Sequence, residues 1–154
     1  MIAKPTTPQL IDAVCTELAD KVAPAITDGT LKVQVEMALS ILQTASVRSG
    51  KELAWMHEEC AAIEETAQRL VAELPDTAAL EAALRTYTDA KTDSRYLADA
   101  QANYERASEV LSCATEAAYA SGNADHIAAV DRLFDQRHAH QNAVTGQFTA
   151  VGRT

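Results

Sequence analysis

Five glycines and four prolines are the only strong helix breakers in this 154-residue chain, which carries 31 alanines. Ordinary usage at that length would be about 11 glycines and 8 prolines. Alanine has the highest intrinsic helix propensity, and glycine and proline the lowest. A chain so composed folds into long helices. Sandwiches, small β-barrels, collagen-like repeats and glycine-rich phosphate-binding loops are disfavoured on the same count.

The breakers act as punctuation. Pro5 and Pro8 open a first segment, Thr7 to Ala23, that Pro24 closes, with an apolar stripe of Ile11, Cys15, Leu18 and Val22. Thr6 or Thr7 can cap it, and Pro8 falls in the first turn, where its missing N–H costs nothing. Gly29 and Gly50 bracket a second segment, Thr30 to Ser49. Leu31, Val33, Val35 and Met37 alternate there with polar residues as in a strand. Yet Lys32, Glu36, Ser40 and Gln43 form one narrow polar stripe on a helix, and no other segment offers a pairing strand. The expectation is a helix, and one apolar around most of its circumference is central and buried.

The third segment, Lys51 to Leu74, places Leu53, Met56, Cys60, Ile63, Ala67, Leu70 and Leu74 at alternating spacings of three and four. That is the seam of an antiparallel bundle or coiled coil. A cap-rich turn, Pro75-Asp76-Thr77, follows, then a short helix carrying Leu80, Leu84 and Tyr87. The polar run Thr88 to Ser94 shifts the register and predicts a break or kink. Arg95 to Ala120 repeats the seam with Leu97, Ala100, Tyr104, Ala107, Leu111, Ala114 and Ala118. Gly122 should end this helix in the left-handed conformation and Asn123 should cap the next. The last helix, Ala124 to about Val144, carries Ile127, Val130, Leu133 and Phe134 on one face. The fold expected is all-α, a single-domain antiparallel bundle of five or six helices over residues 1–154, with flexible ends at 1–6 and 145–154.

A chain of this length buries about two-thirds of the surface its unfolded form exposes. With 47% hydrophobic residues, it has apolar matter for a core without metals or disulfides. No apolar run is long enough to span a membrane, and the N-terminus lacks the apolar core of a secretory signal. The expected location is the cytoplasm. The net charge of −9 divides evenly between the halves: residues 1–75 hold 6 basic and 11 acidic side chains, residues 76–154 hold 7 and 11. Without a basic patch there is nothing to displace phosphate counterions, so no nucleic-acid partner is expected.

Cys15, Cys60 and Cys113 are widely spaced and form no C-x-x-C pair. Each lies on or beside an apolar face, where a free thiol behaves as a small hydrophobe. His57-Glu58-Glu59-Cys60 begins like a zinc-protease helix, but the second histidine that would complete it is Ala61. A di-iron carboxylate bundle needs two Glu-x-x-His elements, and the nearest match is a single Asp135-x-x-His138. No nucleophile elbow, Walker loop or dinucleotide fingerprint is present. No metal and no cofactor is expected.

Three polar or aromatic features remain. Arg137 and His140 continue the face of Val130 and Leu133, with His126 further back. This cationic end could receive an anionic ligand or a carboxylate from a neighbouring helix, or it could simply favour a helix C-terminus. His138 and His140 point about 200° apart and cannot chelate one ion. Trp55, flanked at three and four residues by Glu52 and Glu59, stands off the seam and marks either a protein interface or a packing contact. Tyr104 belongs to the seam, whereas Tyr87, Tyr96 and Tyr119 are candidates to line a cavity between helices or to pack in the core.

Lys4-Pro5-Thr6-Thr7-Pro8-Gln9-Leu10-Ile11-Asp12-Ala13-Val14, then Val22-Ala23-Pro24-Ala25-Ile26 and the apolar helix through Met37-Ala38-Leu39-Ser40-Ile41-Leu42, resembles the start of a small bacterial family of helical proteins of unknown function. Their genes often lie beside aminoglycoside-phosphotransferase-like kinases and acyl-CoA dehydrogenases. The resemblance covers residues 4–50, and Arg48 is followed here by Ser49 where the family has an Arg-Glu pair. It implies a helper of acyl-CoA or hydroxy-acid metabolism and carries over no catalytic residue. The function expected is non-catalytic: an accessory or interaction protein with a protein partner or as a homodimer. The alternatives are a small-molecule module with a pocket between helices, and an enzyme of unrecognised type.

Overall fold

The computed structural model describes residues 4–145, and among them every regular element is helical. Residues 1–3 and 146–154, within the two ends expected to be flexible, lie outside the described residues. Helix α1 spans Thr7–Glu17 and continues through a π turn at Leu18–Val22 and a 3₁₀ turn at Ala23–Ala25. Helices α2 (Gly29–Glu73), α3 (Ala78–Ala90), α4 (Leu97–Ser121) and α5 (Ala124–Thr145) follow. The helix ends obey local chemistry. Gln9 accepts the Thr6 N–H at 2.9 Å, and Asp28 Oδ1 accepts the N–H groups of Thr30 and Leu31. Gly122 takes φ 65° after α4, and Asn123 Oδ1 accepts the Asp125 N–H at 2.9 Å.

The segments expected on either side of Gly50 are one helix of 45 residues. A glycine within a helix costs about 1 kcal/mol relative to alanine but does not by itself end it. Gly50 is also where α1 comes close, since a Cβ there would stand 3.4 Å from Pro8 Cγ. That distance is ordinary van der Waals contact, so Gly50→Ala should keep the approach and gain helix propensity. The expected result is stabilisation by up to about 1 kcal/mol, read as a higher unfolding midpoint by circular dichroism.

The chain divides into two compact units, one of residues up to Glu52 with those from Gln141 on, the other Leu53–His140. In the first, α1 packs on the first half of α2: the Ser46 hydroxyl donates to Asp12 Oδ1 at 2.6 Å and lies 3.4 Å from the Pro8 carbonyl. Only Cys15 and Ser46 are buried among its described residues. The expectation of a central, buried second helix is therefore corrected. Leu31, Val33, Met37 and Ile41 are exposed, and α1 packs on the side of α2 that carries Ser46, away from Met37.

The second unit is a four-helix up-down-up-down bundle. Its core takes Cys60, Ile63, Ala67 and Leu70 from α2, Leu80 and Tyr87 from α3, Ala107 to Ala118 at seam spacing from α4, and Val130 and Leu133 from α5. Alanine at alternate α4 positions lets the neighbouring helices approach closely. The break expected between Thr88 and Ser94 is present, with α3 ending at Ala90 and α4 starting at Leu97. Buried Asn103 holds that connection, donating from Nδ2 to the Thr92 carbonyl at 2.8 Å and accepting the Thr92 N–H at 3.3 Å. Lys91 adds a tie to α2, with both Glu64 oxygens at 2.8 Å.

Candidate functional site

The densest polar cluster in the bundle forms around Glu59 of α2. Glu59 precedes the seam residue Cys60, so it flanks the core instead of pointing at solvent, and it is buried. Its Oε2 accepts the Tyr104 hydroxyl at 2.7 Å and Arg137 Nε at 3.1 Å, and its Oε1 lies 2.7 Å from His140 Nδ1. Against a carboxylate acceptor, His140 Nδ1 is the protonated nitrogen. Arg137 donates a second bond to Ser108 Oγ at 3.2 Å and lies over the Tyr104 ring, 4.7 Å from its centroid. Trp55, one turn before Glu59, stacks on His140 with centroids 4.7 Å apart and planes 13° apart.

Arg137 and His140 are thus brought together at one end of α5, and the anion they meet is the chain's own Glu59. Burial opposes ionisation of Glu59, but the bonds from His140, Tyr104 and Arg137 outweigh it and hold its pKa below the ordinary glutamate value. Tyr104, half-buried and donating to Glu59, is pushed up to about 12 by desolvation and that bond. Burial also lifts Cys60 to about 11 and Tyr87 to about 12. Those phenols and that thiol stay protonated at neutral pH. The Glu59–His140 pair has the form of a carboxylate–imidazole dyad. Yet His140 makes no hydrogen bond to a serine, threonine or cysteine among the described residues. Every buried side-chain nitrogen and oxygen described is hydrogen-bonded. The cluster is a satisfied clamp joining α2, α4 and α5.

The remaining residues singled out in the sequence lie elsewhere. His126 is buried at the opposite end of α5, with Nε2 2.8 Å from Glu73 and Nδ1 3.4 Å from Ser121 Oγ. Glu73 is 14 residues beyond Glu59 on α2, about 21 Å at helical rise, so His126 does not join the Arg137–His140 end. The three tyrosines do not line one cavity. Tyr87 is buried at a cleft of about 160 Å³ whose walls include Cys60, Lys91 and Asn103. Tyr96 is 79% exposed at the start of α4, and exposed Tyr119 donates to Asp131 at 3.2 Å. A second groove, about 300 Å³, runs between α2 and α5. Both are small or open beside ordinary ligand sites of roughly 300–1,000 Å³. No group of three or more metal-ligating side chains exists among the described residues.

Sequence reasoning missed Glu59, Ser108 and Asn103. The only signal for Glu59 was its place one turn from Trp55 and next to a seam residue, which does not separate it from the chain's 21 other acidic side chains. No family model, no curated protein and no solved structure matches this chain.

Proposed function

We propose that this is a non-catalytic interaction protein whose bundle is a scaffold and whose N-terminal helical unit is the docking surface. The observation that carries the reading is the row Val33, Met37 and Ile41 on α2, respectively 49%, 62% and 67% exposed. Large apolar side chains exposed side by side, in a unit that buries only Cys15 and Ser46 among its described residues, favour a protein partner. The Glu59 cluster, by contrast, spends its cationic groups on an internal carboxylate and supports a structural role.

A photo-crosslinking amino acid placed at Met37 in the native cell tests this against the same probe at Glu105, exposed on the bundle. The expected result is a discrete protein adduct from position 37 and none from 105. Adducts from 105 alone, or from neither, would overturn the reading.

A further inference from the structure

We propose that the occupant of the α2 surface is a second copy of this chain, crossing α2 about a two-fold axis at Met37; this rests on the docking reading above. Three observations lead there. The first is the ridge itself. Gly29, Val33, Met37, Ile41 and Ala45 follow one another at intervals of four, so they form a single i±4 ridge on α2. The ridge is symmetric in shape about Met37, with β-branched residues four positions away on each side and small ones at eight. A two-fold contact must be self-complementary. Here the operator sets Val33 against Ile41 of the other copy, Gly29 against Ala45, and Met37 against itself. Identical i±4 ridges interdigitate at a crossing angle of about −50°. Such a crossing confines contact to the stretch of α2 around Met37, where the bulky residues of the ridge lie.

The second observation is the direction of that ridge. Ser46, which bonds Asp12 and Pro8 of α1, lies nine residues beyond Met37. Nine residues are two and a half helical turns, so Met37 faces the side of α2 opposite α1. The ridge and the α1 contact do not compete.

The third is charge. Residues 1–52 hold five basic and six acidic side chains, whereas 53–140 hold seven and sixteen. The even division between chain halves conceals this separation, because it cuts the bundle's share of α2 away from the bundle. Two copies meeting through their bundles would bring excess negative charge together. Two copies meeting through α2 at positions 29–45 join nearly neutral surface, and the flexible methionine at the axis adapts to its twin.

A crossing of this kind buries less than the roughly 800 Å² per partner of a standard interface. Association in the micromolar range is the expected outcome. Sedimentation equilibrium of the full chain from about 1 to 200 µM should show a monomer–dimer equilibrium, weakened at least tenfold by Met37→Glu. Met37→Cys should form a covalent dimer under mild oxidation, which the wild-type chain and Glu105→Cys should not. A strict monomer across that range with no Met37→Cys crosslink would overturn the proposal. If the photo-crosslink at Met37 then captures a different protein, the docking reading survives and the self-pairing fails. If it captures nothing, both fail.

Discussion

Glu59→Ala is expected to destabilise the bundle by about 3–5 kcal/mol, the cost of stripping one partner from a buried ion pair. The substitution leaves Arg137, His140 and the Tyr104 hydroxyl facing a void, each having lost the acceptor that offsets its desolvation. Domains of this size are stable by only about 5–15 kcal/mol, so the loss is a large share of the total. Urea unfolding followed by circular dichroism measures it. Glu59→Gln keeps the shape and one acceptor and should cost less, about 1–3 kcal/mol. Replacing Glu59, Arg137 and His140 together by Leu, Met and Leu should recover part of what Glu59→Ala loses. Removing a buried charged set as a whole is cheaper than orphaning one member. If Glu59→Ala matches wild type in stability, the clamp carries no weight.

The same carboxylate predicts a pH dependence. Its pKa in the folded chain lies below that of an ordinary glutamate, about 4.3. Its contribution is therefore complete above that value and disappears as pH falls through the lower folded-state value. The stability gap between wild type and Glu59→Gln should be widest near neutrality and narrow below about pH 4.

Leu70→Ala is expected to cost about 2–5 kcal/mol through lost transfer energy and the cavity left behind. Leu70 is 0% exposed and belongs to the cluster that all four bundle helices build. Leu97→Ala is the matched comparison, because both leucines stand at seam positions of equally regular spacing. Leu97 is 51% exposed at the first residue of α4, so its truncation should stay within about 0.5 kcal/mol. Equal losses at the two positions would mean that the start of α4 is packed in solution.

Seam spacing does carry the bundle. The run Cys60, Ile63, Ala67, Leu70 was readable because helical period alone places it on one face, and burying that face is what assembles the helices. Gly122 and Asn123 were readable for a local reason: a positive φ and a free N–H at a helix start select these residue types. Gly50 misled because a glycine breaks a helix only where the chain has something better to do than continue. The second segment misled because an apolar circumference says that a helix has surface to bury, not that its own chain supplies the cover.

What the sequence determined by itself is therefore the helical nature of the segments, most of their ends other than those at Gly50, and the two seams, all of which follow from interactions within a few residues. Tertiary structure alone decided which carboxylate meets Arg137 and His140, since Glu59 and His140 are 81 residues apart and nothing local distinguishes one glutamate from another. It also decided which apolar faces remain open. Whether Val33, Met37 and Ile41 are core or surface depends on how many elements pack beside them, a property of the assembled fold and not of the stripe.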